Sequence, residues 1–402
     1  MEICKYLILG GGPTGLSLAN ALHDAGEENF VVCEKEQSAG GLCRSVNVEG
    51  SPLDIGGGHF LDVRRPHINN FLFRFMPEDE WNIFERDSRI MVDGEVISHP
   101  FEANIWQMSQ EMQIEYLKSI AIAGCNIGLP QPERFTEWIY WKLGDKISEK
   151  YMIPYNLKMF GAEMNNLGTY WLDKLPNVSF DDTLLSCLNQ KPYGTQPGHA
   201  QFYYPKRYGY GEVWLRMAAA VNAHIKYDAI VDSIDFDKRI VKLSNGNKIK
   251  ANYIITTIPW TSVKEYIGLP TELLKEINTL KYTSVNVTYV PEQMDTKAQW
   301  IYYPDLKLSY HRILVRSNFY VDAKGYWTET NSERYKDEGK LSFCNEYAYP
   351  LNTIKKPDIM KRLLAWSRKK GIFGLGRWGE WQHYNSDVAV ERALNMAKEL
   401  IQ

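Results

Sequence analysis

The start of the chain alternates short apolar runs with one helical pattern. Residues 5–9 (KYLIL) are short, mostly apolar and followed by glycine, which predicts a buried parallel strand. Residues 16–26 carry apolar side chains at helical spacing and end in a glycine that suits a helix C-terminal cap. Residues 29–33 (NFVVC) predict a second strand, which Glu34 follows. The pattern therefore predicts the order strand, glycine-rich turn, helix, strand and acid.

The glycine-rich turn has the spacing G-x-G-x-x-G. Gly10 permits a tight turn, Gly12 lets the backbone approach a pyrophosphate, and Gly15 lets the helix pack closely on the strand. The N–H groups and the dipole of the helix N-terminus favour phosphate. Glu34 stands 24 residues after Gly10, where it can accept hydrogen bonds from both ribose hydroxyls. The predicted dinucleotide contacts in this segment are Gly10, Gly12, Pro13, Thr14, Gly15 and Glu34.

The later parts of the chain predict both helices and strands. Residues 89–97 (RIMVDGEVI) predict a hairpin, because Asp93-Gly94 is a strong turn signal. Residues 111–195 are mostly helical in pattern, whereas residues 284–290 and 300–303 predict strands of a sheet that covers a ligand. The last segment predicts a strand-like piece, a glycine loop and a helix that starts near Asp387.

Composition limits the classes of function. A chain of 402 residues suggests two or more lobes, and its net charge of -3 supplies no overall field for nucleic acid or an acidic membrane. The aromatic content of 13% suits a cleft that holds rings and polar ligands together. The cysteines show neither a C-x-x-C pair nor a zinc-site spacing. We therefore predict scattered reduced thiols and no metal site.

The same reading gives an expected location. A strand pattern begins at Cys4, where a signal peptide would need an apolar helical region. The most apolar run, residues 119–129, is too short to span a bilayer. We expect a soluble cytoplasmic protein with no nucleic-acid or membrane partner, and homo-oligomerisation is left open.

Two glycine clusters after Glu34 carry a resemblance to a known superfamily. The first is residues 40–45 (GGLCRS) and the second is residues 54–59 (DIGGGH). They resemble the FAD-binding part of the amine oxidase, protoporphyrinogen oxidase and UDP-galactopyranose mutase superfamily, whose glycines let backbone lie close to a flat ring. The resemblance implies FAD as cofactor and a second FAD-domain contribution from residues 229–234 and 253–259. The further cofactor contacts predicted are Lys35, Gly41, Leu42, Arg44, Gly57, Gly58, His59, Val231, Asp387 and Val388.

Further stretches resemble the UDP-galactopyranose mutases in particular. Gly57-Gly58-His59 resembles the mutase G-G-H, whose histidine lies near the flavin face. Residues 299–312 (QWIYYPDLKLSYHR) resemble a segment whose tyrosine and arginine hold the diphosphate, here Tyr302 and Arg312. Residues 376–381 (GRWGEW) resemble a G-R-x-G-x-W/Y loop, with Arg377 as its arginine. The other similar segments are residues 99–105 (HPFEANI, with Phe101), 154–160 (PYNLKMF) and 202–214 (FYYPKRYGYGEVW).

Several positions depart from the mutase pattern. Glu102 replaces the glutamine of the uridine-facing P-F-Q segment, which changes a donor and acceptor into an acceptor alone. His383, followed by Tyr384, stands where the family has a tyrosine. Lys174 is the cation nearest to the arginine expected after the helical region, and His199 stands where asparagine is frequent. The resemblance therefore implies a mutase-like flavin face with altered substrate contacts.

The implied fold class is α/β, with a Rossmann-type FAD-binding domain, an inserted helical domain and a mixed-sheet substrate domain. The predicted segments are 1–65, 196–265 and 371–402 for the FAD-binding domain, 66–110 for a substrate-domain hairpin and loop, 111–195 for the helical insertion, and 266–370 for the substrate-binding sheet.

Three functions remain open at this point. The leading one is a nucleotide-sugar pyranose–furanose mutase, in which the resemblance implies that N5 of reduced FAD attacks the anomeric carbon. Arg312, Arg377 and Tyr302 would then hold the departing diphosphate, with His59 at the flavin face. The alternatives are an FAD-dependent oxidoreductase of the amine oxidase or desaturase type and a non-catalytic flavin-binding relative.

Overall fold

The computed structural model describes residues 1–402 except Cys125, Ile127, Asp173, Lys174, Pro176, Asn177, residues 195–199, Val321 and Gln402. The predictions made for Lys174 and His199 therefore lie outside the described residues. None of the helices in the described part of the chain combines the length and the apolar character that a membrane crossing needs.

The strands and helices have the following bounds. The strands are β1 (Glu2–Leu9), β2 (Phe30–Cys33), β3 (Ser45–Val48), β4 (Ser51–Asp54), β5 (Leu61–Asp62), β6 (Trp81–Glu85), β7 (Ser88–Val92), β8 (Glu95–Ser98), β9 (Gln201–Pro205), β10 (Ile225–Lys226), β11 (Val231–Asp235), β12 (Ile240–Leu243), β13 (Lys248–Thr256), β14 (Glu265–Ile267), β15 (Tyr282–Val290), β16 (Trp300–Tyr302), β17 (Arg312–Val315), β18 (Tyr326–Asn331), β19 (Ser342–Pro350) and β20 (Ile372–Gly374). The helices are α1 (Pro13–Asp24), α2 (Pro66–Phe73), α3 (Phe101–Asn104), α4 (Gln110–Gly124), α5 (Phe135–Ile147), α6 (Ile153–Phe160), α7 (Phe180–Asn189), α8 (Gly211–Ala220), α9 (Thr271–Ile277), α10 (Lys356–Lys369), α11 (Gly376–Gly379) and α12 (Ser386–Ile401).

The first sheet is of the Rossmann type. Among the described residues its order is β10-β2-β1-β13-β12-β11-β14, with β20 paired to β13. β1, β2, β10, β13 and β20 are parallel, whereas β12 is antiparallel to both of its neighbours. Leu9 is in register with Cys33 and Thr256. The carboxyl ends of these strands therefore meet at one edge of the sheet, where doubly wound folds bind ligands.

The sheet is covered on both faces because its central strand is apolar on both sides. In β1, Tyr6 and Ile8 join a core cluster with α1 and α12, whereas Leu7 and Leu9 join a different cluster with α10. Alternation of side chains along a strand produces this division. A continuous apolar run, as in residues 6–9, is what a parallel strand buried on both faces requires.

The second sheet has the order β19-β15-β18-β17-β16-β7-β8. Its neighbouring strands are antiparallel except β16 and β7. The predicted hairpin is present as β7 and β8, and Asp93 and Gly94 both have positive φ at its turn. Tyr302 is in register with Arg312 on one side and Ile90 on the other. Smaller sheets, β3-β4 and β5-β9-β6, complete the strands.

One local prediction differs from the structure. The glycine loop expected after β20 is the one-turn helix α11, because the Glu380 carboxylate accepts a hydrogen bond from the Gly376 N–H at 2.8 Å and closes the turn. Gly376 has φ of +73°, and a Cβ atom there would lie 2.1 Å from Oγ1 of Thr14. This close approach packs the C-terminal segment against the first turn of α1.

Candidate functional site

The glycine-rich turn lies at the carboxyl edge of the first sheet. Gly10 has φ of +107°, and a Cβ atom on Gly15 would lie 1.9 Å from the Gly10 carbonyl oxygen, so only glycine fits there. A Cβ atom on Gly12 would meet nothing closer than the Cα atom of Gly41, at 3.7 Å. No side chain caps α1 at Gly12. The first N–H groups of α1 can therefore bind a diphosphate that lies beside two glycines.

Glu34 is held at the same edge of the sheet by backbone donors. Its Oε2 atom accepts a hydrogen bond from the Gly11 N–H at 2.7 Å, and its Oε1 atom accepts one from the Glu36 N–H at 2.9 Å. Burial raises the pKa of Glu34 against the effect of these two donors. Each carboxylate oxygen keeps acceptor capacity for a ribose hydroxyl.

The segment after Glu34 crosses the turn. Arg44 donates through Nε to the Gly41 carbonyl at 3.0 Å, and its Nη1 atom lies 3.5 Å from a Glu36 carboxylate oxygen. A Cβ atom on Gly56 would lie 1.8 Å from the Leu42 carbonyl oxygen, so the first glycine cluster packs directly on the second. The Lys35 side chain is 61% exposed, which places it at the surface.

The loop Gly57-Gly58-His59, called the flavin-face loop after its predicted role, lies against a buried glutamate of β18. The Gly58 N–H donates to Oε1 of Glu329 at 3.2 Å, and a Cβ atom on Gly57 would lie 2.7 Å from the same oxygen. A Cβ atom on Gly58 would lie 2.1 Å from a methyl carbon of Leu314. His59 places Nδ1 2.9 Å from the Gly57 carbonyl oxygen. The two glycines are therefore needed for the close approach of this loop to the second sheet.

Glu329 also neutralises Arg312. Arg312 donates to Oε2 of Glu329 through Nε at 3.1 Å and also through Nη2. The Glu329 side chain is 1% exposed and that of Arg312 is 17% exposed. Burial raises the pKa of Glu329, but Arg312 and His311 outweigh it and lower that pKa to about 2. The pair is therefore ionised, and it joins the flavin-face loop to β17.

Arg377 lies near Tyr349, which also approaches this pair. Tyr349 places its hydroxyl 3.5 Å from Nη2 of Arg312, and the centroid of its ring lies 5.4 Å from the Arg377 guanidinium carbon. The Nε atom of Arg377 is buried and has no hydrogen-bond partner among the described residues. Burial lowers the pKa of Arg377. A cation with a buried, unpaired N–H donor is costly, and an anionic ligand that accepts from this donor removes that cost.

Tyr302 meets a further arginine that the motifs did not indicate. Arg86 donates through Nη2 to the Tyr302 hydroxyl oxygen at 3.0 Å and through Nε to Ser88 at 2.8 Å. Its guanidinium carbon lies 4.9 Å from the centroid of the Trp300 ring. Burial raises the pKa of Tyr302, but Arg86 and Arg312 outweigh it and leave that pKa below its usual value.

These contacts connect three cations through two phenols. We call the set Arg86, Tyr302, Arg312, Tyr349 and Arg377 the cation–phenol row. The row runs from the β7–β16 pairing to α11, beside the flavin-face loop. Guanidinium groups and phenols in such an arrangement bind diphosphate oxygens well.

The comparisons with known proteins agree with this architecture. A family model described as an NAD(P)-binding Rossmann-like domain matches residues 8–75. A second, described as flavin containing amine oxidoreductase, matches residues 133–340, which is more than half of the chain. The chain belongs to the flavin containing amine oxidoreductase family. FAD is accordingly its cofactor.

Solved structures share the fold of this amine oxidoreductase family member at low sequence identity. A reduced UDP-galactopyranose mutase matches with a TM-score of 0.90 and 21% identity, covering 99% of this chain and 93% of that one. Cyclohexylamine oxidase from Brevibacterium oxydans matches with a TM-score of 0.66 and 15% identity, covering 99% and 100%. A putrescine oxidase bound to putrescine matches with a TM-score of 0.64 and 15% identity, and the match covers 99% of both chains. At these identities the likeness establishes the fold.

Two curated relatives match over short stretches. A Baeyer-Villiger monooxygenase from Pseudomonas aeruginosa is 33% identical over 143 residues, which cover 32% of this chain and 26% of that protein. An uncharacterised protein from the nifH2 3' region of Methanothermococcus thermolithotrophicus is 46% identical over 52 residues, which cover 13% of this chain and 49% of that protein. The chain thus matches a quarter to a half of the length of these relatives.

The described residues fit FAD. The glycine-rich turn leaves room for a diphosphate, Glu34 supplies acceptors for a ribose, and the flavin-face loop presents backbone without side chains. Tyr210 connects this loop to the N-terminus of α12. Its ring stacks on that of His59, and its hydroxyl is hydrogen-bonded to Ser386, the first residue of α12, at 2.7 Å. When bound, FAD supplies the reactive isoalloxazine ring, and its predicted position is beside this loop.

The remaining predicted cofactor residues are mostly part of the framework. Val231 opens β11, is 8% exposed and joins the core cluster beneath β13. Asp387 is 3% exposed, and its Oδ2 atom lies 2.7 Å from Nε of Arg65. Its carboxylate therefore forms an ion pair with the residue that precedes α2. Val388 follows it in the first turn of α12. Their predicted contacts with FAD stay predictions that would run through backbone N–H groups.

The predicted substrate residues lie in two places, beside the cation–phenol row and on α3. His383 lies with its ring centroid 5.0 Å from that of Tyr349, which places it beside the cation–phenol row. Tyr384 follows it, and burial raises its pKa. Phe101 is fully buried and stacks on Tyr151, with 5.6 Å between ring centroids. Burial raises the pKa of Glu102, partly offset by Lys142 of the helical insertion. Contact of these residues with a substrate stays a prediction.

Sequence motifs missed several residues of this site. Glu329 and Arg86 lie outside every motif segment, and their roles arise from strand pairing, with β18 beside β17 and β7 beside β16. Tyr349 comes from β19, two strands beyond β18 in sheet order. Tyr155 belongs to the PYNLKMF segment and packs edge-on against Tyr302 at 5.4 Å between centroids. Only that last residue carried a sequence signal.

Substitution of Gly12 tests the cofactor site. We expect Gly12→Val to leave the chain folded, because no protein atom lies within 3.7 Å of the added Cβ. The side chain would occupy the place of the diphosphate and weaken FAD affinity by about 1–3 kcal/mol. Flavin released on denaturation would be measured per protein chain. Gly124→Val is the control, because nothing lies within 4 Å of its added Cβ; equal flavin content in the two variants would contradict the assignment.

The protonation of His59 gives a pH prediction. Burial lowers the pKa of His59 to about 4, and the charge of Arg377 adds to the shift. An unfolded histidine titrates near about 6.5, so between these pH values the unfolded chain binds more protons and stability falls as the pH falls. The slope is at most about 1.4 kcal/mol per pH unit, and smaller here because the side chain is partly exposed. Urea unfolding should show the stability of the wild type falling relative to His59→Gln across this window; a constant difference would contradict a neutral His59 in the folded protein.

Proposed function

We propose that this flavoprotein is an FAD-dependent nucleotide-sugar mutase, which interconverts pyranose and furanose forms of the sugar. The observation that carries the proposal is the cation–phenol row, and above all the buried Arg377 Nε atom without a partner among the described residues. An amine or apolar substrate offers nothing to neutralise this cation. A nucleotide diphosphate offers both negative charge and several acceptor oxygens.

The chemistry assigns each residue a task. Reduced FAD supplies a nucleophilic ring nitrogen when it is bound. Arg377 and Tyr349 bind the diphosphate as a leaving group and stabilise the negative charge that develops on it. Tyr302, with its pKa held low by Arg86 and Arg312, keeps its hydroxyl ready to bond with a phosphate oxygen. His59, neutral at pH 7, positions the flavin-face loop without adding a charge beside the ring.

Arg86 is a candidate for the second diphosphate-binding cation, for which the sequence motifs offer no clear match. The mutase pattern calls for an arginine after the helical region, and the nearest sequence candidate, Lys174, lies outside the described residues. Arg86 donates to the Tyr302 hydroxyl, and its guanidinium carbon lies 4.9 Å from the centroid of the Trp300 ring. We infer that Arg86 supplies this second cation for the diphosphate.

The nucleotide and sugar are proposed to differ from those of a UDP-galactose enzyme, or to include others. Contacts with the diphosphate do not depend on the base or the sugar, and this chain has the arginines and tyrosine that the mutase pattern places at the diphosphate. Glu102 and His383 change the polar edges offered to base and sugar. A carboxylate at Glu102 repels a uracil carbonyl and accepts from the amino group of guanine or cytosine, and polar mismatches are rejected strongly.

A substrate panel tests this proposal. Reduced enzyme would be offered UDP-, dTDP- and GDP-sugars, and each initial rate of ring interconversion would be measured. We expect at least one sugar nucleotide other than UDP-galactose to be turned over at a comparable or higher rate. If UDP-galactose is preferred by a wide margin, the altered specificity is wrong although the mutase proposal stands. If no nucleotide sugar binds or reacts, the mutase proposal itself fails.

The second candidate function is an oxidoreductase of the amine oxidase type. The family match and the aromatic walls around Tyr155 and Tyr302 favour it. It would oxidise an amine or apolar substrate and pass the electrons from FAD to oxygen or a quinone. Unlike the mutase, it consumes one oxidant for each substrate molecule.

A further inference from the structure

A cluster of two histidines and one glutamate lies on the surface of the first sheet's domain. His23 comes from the last turn of α1, Glu28 from the turn before β2, and His224 from a short helical turn after α8. Nδ1 of His23 lies 2.7 Å from Oε1 of Glu28, and Nε2 of His224 lies 2.8 Å from Oε2. The three ligand atoms all lie within 4.8 Å of one another. Two imidazoles and a carboxylate form a common ligand set for a transition metal.

His224 is oriented as a metal ligand would be. Its Nδ1 atom lies 3.3 Å from the Phe30 carbonyl oxygen, and its ring stacks on Phe30 with 4.2 Å between centroids. The side chain is 19% exposed, so packing fixes the ring. When the proton sits on Nδ1 and is donated to that carbonyl, Nε2 carries a lone pair. Such a backbone partner for the second nitrogen is the usual support of a metal-bound histidine.

In the tautomer with its proton on Nδ1, His224 meets Glu28 only through a cation, whereas the Nε2–H tautomer donates to the carboxylate directly. Nε2 with a lone pair and a carboxylate oxygen 2.8 Å apart are two acceptors, which repel each other unless a proton or a metal ion lies between them. Zinc binds imidazole nitrogen and carboxylate oxygen at about 2.0–2.2 Å in tetrahedral geometry, which separates neighbouring ligand atoms by about 3.3 Å. The two nitrogen–oxygen separations of 2.7 and 2.8 Å are shorter than that value, and the three ligand atoms lie within 4.8 Å of one another, so side-chain rotations that open the two contacts would bring the atoms to coordination distance.

We propose that His23, Glu28 and His224 bind Zn²⁺ or a similar divalent transition metal, with water as the fourth ligand. The site joins three segments that support the cofactor site. α1 carries the glycine-rich turn at its other end, β2 leads into Glu34, and the chain after His224 forms β10, which pairs with β2. Metal binding would therefore stabilise the FAD-binding sheet without taking part in the reaction. It departs from the cysteine-based expectation of no metal site, because two histidines from separate segments have no sequence spacing to mark them.

Zinc titration of the full FAD-loaded protein tests the site. After EDTA treatment and its removal, ZnCl₂ binding would be followed by calorimetry and by the thermal unfolding midpoint. We expect one equivalent to bind and to raise the midpoint, since a ligand bound only by the folded state stabilises it. His224→Ala and His23→Ala should each weaken zinc binding at least about tenfold and abolish the rise. Flavin content and the unfolding midpoint without zinc show that the variants are folded.

The control is a surface histidine with a similar glutamate partner. His67 places Nε2 3.3 Å from Glu391, and its side chain is 64% exposed. His67→Ala should bind zinc as the wild type does. Zinc affinity that is equal in wild type and His224→Ala would overturn the proposal. So would a wild-type protein that binds no zinc and keeps its midpoint, because a proton alone would then bridge His224 and Glu28.

Discussion

Replacing Glu329 by glutamine is expected to lower the free energy of unfolding by about 3–5 kcal/mol, the cost of leaving one member of a buried ion pair without its partner. The glutamine keeps the shape of the side chain and an acceptor for the Gly58 N–H. The charge of Arg312 would lose its counter-ion in a site where Glu329 is 1% exposed. Urea unfolding of the FAD-saturated protein would measure the change.

Two further variants separate this effect from a general loss of packing. Asp24→Asn removes an exposed ion pair with Arg74, whose side chains are 37% and 50% exposed, and should cost less than about 1 kcal/mol. Glu329→Gln combined with Arg312→Met should recover much of the lost stability, because no unpaired charge remains. If Glu329→Gln is no more harmful than Asp24→Asn, the pair does not hold the flavin-face loop in the way described.

In contrast to Glu329→Gln, Arg377→Ala is expected to weaken ligand binding without lowering the stability of the protein. It should weaken the binding of a nucleotide diphosphate by about 1.5–3 kcal/mol, or roughly 10- to 150-fold, the range for hydrogen bonds to charged groups. Stability without ligand should be unchanged or higher, because the variant removes a cation whose buried Nε atom has no hydrogen-bond partner in the described part of the chain. Flavin content should stay normal. Calorimetry with UDP, dTDP and GDP would measure the affinity.

The control for Arg377 is Arg74→Ala, which removes an exposed arginine at the surface. It should bind nucleotide diphosphates as the wild type does. Arg312→Ala is a poorer test than Arg377→Ala, because it leaves Glu329 buried and unpaired and so changes stability as well. Wild-type nucleotide affinity in Arg377→Ala would remove the main support for the mutase proposal.

The sequence predicted the fold class because its signals are local. The apolar run of residues 5–9, the glycine spacing and Glu34 lie within one strand–helix–strand unit, and each has a single physical explanation. The Asp93-Gly94 hairpin is equally local. The one-turn helix α11 was not predicted, because it depends on a hydrogen bond from the Gly376 N–H to the Glu380 carboxylate. The glycine-rich sequence alone does not indicate this bond.

The candidate site was predictable only in part. Tyr302 and Arg312 stand ten residues apart in a motif, and strand pairing places them side by side. Glu329 and Arg86 became visible only once the order of the second sheet was known, because their partners are distant in sequence. The local sequence around a charged strand residue does not show which side chain the neighbouring strand places beside it. The contacts that decide the electrostatics of the site are therefore those that the sequence could not supply.

The most direct test of the proposed function is the number of sugar molecules converted for each pair of electrons held by the flavin. Anaerobic enzyme, reduced once with dithionite, would be mixed with the best nucleotide sugar of the panel, while flavin absorbance and the furanose product are followed together. A mutase should give many turnovers while its flavin stays reduced, and oxidised enzyme should be inactive. Conversion that stops after one product per flavin, or activity seen only when an amine is oxidised and oxygen consumed, would contradict the account.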